Sequence, residues 1–245
     1  MTTTTYLIIG GLAIIFIAYI IFLKAMMKKR DQKLLDNFDD SHSDLPLNDE
    51  QKRLLAFGGI IFYYRGEKIL GIKPEQGLNH YVVGLQRQWE ITNEFEAKET
   101  LNSLLTLERS NSFELILQQT VNELVDIQKG IAKGLGVELS VVQQVKSAYA
   151  WDICRAVSLA KWCYWAGYLK EDETWDIMRN AANIAADKGD NWRDYTISYL
   201  LGRTIQGFDL DDIIVESEQI FKSKGPSLRK IEDIDIYTKY KFKNI

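Results

Sequence analysis

The stretch YLIIGGLAIIFIAYIIFL, residues 6–23, is an uncharged run of apolar and small side chains close to the start of the chain. As an α-helix with a rise of about 1.5 Å per residue it would be roughly 27 Å long, close to the hydrocarbon thickness of a bilayer. Its Leu, Ile and Phe side chains favour insertion by about 4 to 7 kcal/mol, before the cost of Gly10 and Gly11. The stretch therefore predicts a single transmembrane helix that anchors the rest of the chain in a lipid bilayer.

Five basic residues follow this apolar run at once: Lys24, Lys28, Lys29, Arg30 and Lys33. A cleaved signal peptide has its basic region before the apolar run and a small-residue cleavage site after it, so the order here is reversed. A helix buried in a protein core is the other alternative, but it would need a protein shell on all sides. Because basic residues prefer the cytoplasmic side, we expect the N-terminus outside and the remaining chain in the cytoplasm.

The segments that follow the anchor and its basic flank, residues 1–30, differ in composition. Residues 31–46 are polar and acidic without clear periodicity, which is typical of a linker. Residues 47–225 are numerous enough for one domain with a substantial core. In the tail, 226–245, lysines alternate with aromatic residues, as in a solvated chain end or in a segment that lies on lipid headgroups. The net charge of −4 argues against nucleic-acid binding.

The region 47–225 favours an all-α fold, because apolar residues recur at helical spacing and no long run alternates as in a strand. Asn48 and Asn93 are residue types that begin helices, and Gly189 is suited to end one. One predicted helix, 140–165, is apolar almost all round in its second half, which predicts that other helices surround it. The predicted helices of the domain cover residues 48–64, 74–89, 93–109, 113–133, 140–165, 171–188, 190–205 and 210–222.

Residue types that often carry catalysis or bind metals are sparse. Cys154 and Cys163 lie nine residues apart in one predicted helix, about 13 Å along its axis, which is too far for a disulfide. The two histidines, His42 and His80, give no sign of activating either thiol. No acidic cluster has the spacing of a calcium loop. We therefore expect free thiols, no metal and no cofactor.

Three motifs follow one another in the second half of the chain. They are Ala150-Trp151-Asp152-x-x-Arg155, Gly167-Tyr168-x-x-x-x-Glu173-x-Trp175 and Trp192-x-x-Tyr195-x-x-x-Tyr199-x-x-Gly202-Arg203. With an upstream Leu85-x-x-x-Trp89-x-Ile91, they resemble the bacterial "domain of unknown function 1266" family over roughly residues 80–205. The resemblance implies a bacterial protein, and the predicted anchor then lies in the inner membrane. It supplies no catalytic assignment, because the activity of the family is not established.

Charged residues in these motifs lie on mostly apolar helices, where an unpaired buried charge would cost several kcal/mol. One interpretation is a buried ion network that fixes how three helices pack, in which Asp152 and Arg155 pair with each other or with Glu173 and Arg203. A second is a ligand pocket in which Arg155 and Arg203 bind a carboxylate or phosphate beside aromatic rings. A third is acid–base catalysis by Asp152 and Glu173, which nearby arginines would disfavour by keeping both carboxylates ionised. The candidate residues are Trp151, Asp152, Arg155, Tyr168, Glu173, Trp175, Trp192, Tyr199, Gly202 and Arg203.

The function that the sequence favours is that of a membrane-anchored helical domain that binds a protein partner or a small anionic ligand. The alternative is an enzyme, a hydrolase or a component of a secreted effector, with a pocket around Asp152, Arg155, Glu173 and Arg203. An enzyme would have unpaired polar groups around an open pocket there, whereas a binding module would bury those groups and expose an apolar patch.

Overall fold

Helices form the regular secondary structure of the residues that the computed structural model describes: 3–41, 46–74, 77–119, 121–225 and 233–243. No strand occurs among them, so the predicted all-α class is confirmed. The helices are α1 Thr3–Ser41, α2 Asp49–Ala56, α3 Gly59–Tyr64, α4 Leu78–Trp89, α5 Glu94–Leu105, α6 Glu108–Ser112, α7 Glu114–Gln118, α8 Asn122–Leu135, α9 Leu139–Gln144, α10 Tyr149–Trp165, α11 Glu171–Lys188, α12 Trp192–Ile205, α13 Ile214–Lys222 and α14 Ile236–Lys239.

Helix α10 lies at the centre of the domain, as its apolar pattern predicted. Every residue of it except Arg155 is buried, and its most extensive contacts are with α11 and α12. The predicted single helix 140–165 is wrong, because residues 145–148 separate α9 from α10. At this break the carbonyl of Ala148 accepts a hydrogen bond from Ser110 Oγ at 2.8 Å. That partner is distant in sequence, so local periodicity could not indicate the interruption.

The predicted helix 48–64 is also divided, into α2 and α3, by a turn at Phe57 and Gly58. A Cβ on Gly58 would lie 2.6 Å from the ring of Phe62 and 2.9 Å from Val157 of α10. Only glycine lets the turn approach the central helix this closely. The predicted helices 93–109 and 113–133 are also divided, the first into α5 and α6 and the second into α7 and α8.

Helix α1 continues beyond the predicted anchor into the segment predicted as a linker, of which residues 31–41 are helical. Residues 42–45 lie outside the described part of the chain. The ring of Phe38 is buried edge to face against Tyr164 of α10, with centroids 5.2 Å apart, and Leu35 packs on the same core. Leu35 and Phe38 are only two apolar residues within a polar segment. They do not form an apolar helix face wide enough to predict packing against the domain.

Among the described residues, α1 is the one helix long and apolar enough to cross a membrane, over Gly11–Lys33. Its apolar window is not buried against the domain. Large side chains such as Ile14, Phe16 and Phe22 are more than 60% exposed. By length and composition this helix could be a membrane span or a signal sequence.

The predicted solvated or lipid-bound tail is folded onto the domain over residues 233–243, while 226–232 lie outside the described residues. Ile236 and Phe242 are buried. Tyr237 stacks on Trp192 of α12 with ring centroids 4.3 Å apart, and the Trp192 Nε1–H donates to the carbonyl of Tyr240 at 2.7 Å. The aromatic residues of this stretch therefore complete the core, so the predicted solvated end is wrong for residues 233–243, whereas the contact with lipid headgroups stays a prediction.

Candidate functional site

The carboxylate of Asp152 is fully buried where α10 meets α6. Its Oδ1 pairs with the guanidinium of Arg155, and its Oδ2 accepts the backbone N–H of Ser110 at 2.7 Å. Arg155 is 11% exposed, and its Nε donates to the carbonyl of Trp151 at 3.2 Å. Burial lowers the pKa of Arg155, and the charge of Asp152 opposes that shift. Both oxygens of the carboxylate are occupied by protein groups.

Aromatic packing surrounds this pair. The Arg155 guanidinium lies 4.3 Å from the centroid of the Trp151 ring, which in turn lies 5.4 Å from the ring of Tyr199 on α12. A Cβ on Gly202 would come within 2.5 Å of the Trp151 Cβ, so α10 and α12 are in close contact here. Burial raises the pKa of Tyr199 well above its ordinary value, so this hydroxyl stays neutral. The arrangement is a tightly packed helix–helix junction.

Arg203 lies on the same helix as Tyr199 but has different neighbours. Its Nη2 is 3.9 Å from Oδ2 of the exposed Asp212, at the limit of an ion pair. Its guanidinium lies 5.0 Å from the ring of Phe208 and 5.8 Å from that of Tyr64. The Nε of Arg203 is buried and has no hydrogen-bond partner among the residues described. Arg203 thus has a weaker partner than Arg155.

Glu173 is separate from these two arginines. Its Oε1 pairs with Lys98 of α5 at 2.6 Å, and its Oε2 accepts the backbone N–H of Lys170 at the start of α11. The Lys98 and Lys170 contacts lower the pKa of Glu173. In the same turn Trp175 Nε1 donates to Glu171 at 3.2 Å. The four charged candidates therefore form three separate pairs rather than one joined network.

Two aromatic candidates lie elsewhere. Tyr168, in the turn after α10, is partly buried, and its backbone N–H donates to the carbonyl of Cys163 at 2.9 Å. Trp192 belongs to the aromatic cluster that holds the tail. The structure thus brings together Trp151, Asp152, Arg155, Tyr199 and Gly202, and it distributes the remaining candidates around the domain.

A second buried charged cluster was missed by sequence reasoning. Glu67, in the turn after α3, is 4% exposed, and its carboxylate lies 3.7 Å from Lys161 Nζ and 3.3 Å from Arg65 Nε. It also accepts from Trp162 Nε1 at 3.0 Å. Burial raises the pKa of Glu67, and Lys161, Tyr81, Arg65 and Trp162 oppose the shift. The available signal was Lys161, a charged residue in the middle of an apolar helix.

Arg65 connects this cluster to a large cavity between α1 and the domain. The guanidinium lies over the ring of Trp162 at 4.7 Å and over that of Tyr81 at 5.6 Å, and its Nη2 is 3.5 Å from His80 Nε2. The cavity has a volume of about 1040 Å³. Its lining consists of Lys24, Met27, Lys28, Asp31, Gln32, Leu35, Tyr64, Arg65, Gly77, His80 and Tyr81.

Neither thiol nor metal chemistry stands out in the described part of the chain. Cys154 and Cys163 are buried and unpaired, and burial raises the pKa of both thiols to about 12. Within the described ranges, no three His, Cys, Asp or Glu side chains are grouped so that they could hold a metal ion.

Comparison with known proteins gives one match. The sequence model of a family described as "Protein of unknown function (DUF1266)" matches residues 84–223, which include all the candidate residues named from the sequence. No curated protein and no solved structure matches the chain.

Proposed function

We propose that this chain, which belongs to the DUF1266 family, is a single-pass inner-membrane protein of a bacterium whose helical cytoplasmic domain binds a ligand or partner at the membrane surface. The observation that carries the proposal is the exposure of α1. Side chains such as Ile14 and Phe16 are 69% and 63% exposed, and water is an unfavourable environment for so much continuous apolar surface. A bilayer would bury it.

The continuity of α1 supports a retained anchor over a removed signal sequence. The helix runs without interruption from Thr3 to Ser41, and Phe38 packs against Tyr164 inside the domain. The apolar run therefore belongs to the same element as core contacts. The basic residues from Lys24 to Lys33 lie on the domain side of the run, which favours a cytoplasmic domain.

A binding role has more support than acid–base catalysis by the motif residues. Asp152 is fully buried, and both of its oxygens are engaged by Arg155 and Ser110. A substrate would have to displace these groups to reach the carboxylate. Glu173 points to Lys98 instead of joining Asp152. The paired charges are suited to fixing helix packing, and the cavity beside α1 is the better candidate for a ligand.

Membrane integration is tested by flotation of full-length protein with native membranes after alkaline carbonate washing. Orientation is tested with Thr4→Cys and Glu99→Cys, each labelled by a membrane-impermeant maleimide in spheroplasts before and after permeabilisation. The buried Cys154 and Cys163 provide a low background. We expect Thr4→Cys to react in intact spheroplasts and Glu99→Cys only after permeabilisation. Recovery of the chain as a carbonate-soluble protein, or labelling in the reverse order, would overturn the proposal.

A further inference from the structure

The cavity between α1 and the domain has a charge opposite to that of the whole chain. The chain carries a net charge of −4, whereas the cavity lining has three cationic side chains, Lys24, Lys28 and Arg65, against one carboxylate, Asp31. With His80 neutral, this lining therefore has a local net charge of +2. A cavity of this sign concentrates anions.

Arg65 is held in position at the wall of the cavity. Its Nε contacts Glu67 at 3.3 Å, and its Cζ lies 4.7 Å from the centroid of the Trp162 ring. These contacts fix the guanidinium, so that little side-chain entropy would be lost when it binds an anion. Lys24 and Lys28 are exposed and one helical turn apart, and both line the same cavity.

The cavity begins where the apolar run ends. Leu23 is the last residue of that run, and Lys24 is the first cavity-lining residue. Lys24 and Lys28 are separated by about 6 Å along the helix axis, which fits within a headgroup layer roughly 5 to 8 Å thick on each side of a bilayer. The two lysines would thus lie at the depth of lipid phosphates.

Apolar groups in the same lining suit an amphipathic ligand. Met27 and Leu35 on α1 face the cavity together with Tyr64 and Tyr81. Tyrosine rings are common at the boundary between headgroups and acyl chains, because one end is apolar and the other forms hydrogen bonds. A soluble inorganic anion has no apolar part that could contact these side chains.

We propose that this cavity binds the phosphate headgroup of an anionic phospholipid in the leaflet next to the domain. The inference rests on the proposed membrane anchoring. Arg65 and the two lysines contact the phosphate oxygens, and Met27 and the tyrosines contact the glycerol of the headgroup. The bound lipid connects α1 to α4 and holds the domain against the membrane.

The test uses the full chain in detergent, with phosphatidylglycerol and phosphatidylcholine titrated and bound lipid counted by native mass spectrometry. The variant Lys24→Gln/Lys28→Gln removes two charges from the cavity, and Lys29→Gln/Lys33→Gln removes two exposed charges of the same helix that do not line it. We expect the first pair to weaken phosphatidylglycerol binding by roughly 30-fold, because each lysine near the headgroups contributes about fivefold. The second pair should leave the affinity close to that of the wild type.

The outcomes distinguish the sources of phosphate and the two proposals. Equal weakening by both lysine pairs, or equal affinity for the two lipids, would overturn the cavity site. Displacement of phosphatidylglycerol by equal concentrations of glycerol 3-phosphate would identify a soluble phosphate ligand and overturn the lipid assignment. A co-purified acidic protein that blocks lipid binding would do the same. Failure of the carbonate and flotation test would overturn the anchoring itself, whereas an anchored chain without lipid preference would contradict only this inference.

Discussion

Asp152 and Arg155 form an ion pair within α10, three residues apart, with the carboxylate fully buried and the guanidinium 11% exposed. Removing one partner would leave the other as an uncompensated buried charge, so we expect Asp152→Asn and Arg155→Gln each to lower the unfolding free energy by about 3 to 5 kcal/mol. Urea denaturation of the full chain in detergent measures the loss.

The matched control for this pair is Asp176 and Arg179, which have the same spacing on α11 but are 76% and 44% exposed. Asp176→Asn should denature close to wild type, since exposed pairs contribute little. A stable Arg155→Gln variant with altered ligand binding would contradict the structural role and favour the pocket interpretation.

Gly202 marks the closest approach of α12 to α10. In Gly202→Ala the new methyl group would lie 2.5 Å from the Cβ of Trp151 and 3.1 Å from that of Ala148, and neither atom can rotate away. We expect a loss of about 1 to 3 kcal/mol in unfolding free energy, because the helices must separate.

Gly84→Ala in α4 is the control, since nothing lies within 4 Å of its Cβ. That substitution should raise stability by up to about 1 kcal/mol through helix propensity. Thermal melts that rank the two variants in the opposite order would refute the packing argument.

Phe242 anchors the tail between Phe57 and Trp192, at ring-centroid distances of 5.4 and 5.0 Å. Phe242→Ala should destabilise the domain by about 3 kcal/mol and shift the fluorescence of Trp192 to longer wavelength as water gains access. Lys241→Ala, at an exposed neighbouring position, should change neither quantity. An unchanged melting temperature for Phe242→Ala would mean that the tail is not part of the cooperative unit.

Glu67 predicts a pH dependence of stability. Because burial raises its pKa in the folded state above the ordinary value of 4.5, the native chain holds this proton more strongly than the unfolded chain. The contribution of Glu67 to stability is therefore complete below pH 4.5 and is lost as the pH rises through the folded-state pKa.

The measurement is the urea midpoint as a function of pH for wild type, Glu67→Gln and the exposed-site control Glu99→Gln. Glu67→Gln lacks this titration, so its midpoint should rise relative to wild type with increasing pH. Glu67→Gln also loses the ionic contact with Lys161 at every pH. Any effect of that loss on stability is therefore already present in its urea midpoint at low pH. Parallel curves for wild type and Glu67→Gln would show that burial does not dominate at this carboxyl.

Helix content and the central position of α10 could be predicted because they depend on local propensity and on an apolar surface that extends round the helix. The caps at Asn48 and Asn93 were also predictable, since each side chain bonds a backbone N–H only three residues on. The family was recognisable from the order of its Trp, Tyr and charged residues.

The interruptions within predicted helices could not be obtained in this way. At the break before Tyr149 the carbonyl of Ala148 accepts a bond from Ser110, and at the turn Gly58 lies close to Val157, so both features involve partners distant in sequence. The cavity was not predicted either, because its lining combines residues of α1 with residues of the domain that are distant in sequence. The charged motif residues indicated pairing correctly for Asp152 and Arg155, but sequence spacing could not assign Glu173 to Lys98.

The uninterrupted helix from Thr3 to Ser41 has a mechanical consequence. Transmembrane helices tilt when the thickness of the surrounding bilayer changes. A flexible joint would dissipate such a tilt, but here Phe38 is clamped against Tyr164 fifteen residues beyond the apolar run. In the membrane-anchored state proposed above, α1 would transmit such a tilt to the domain, whose orientation would then change with bilayer thickness.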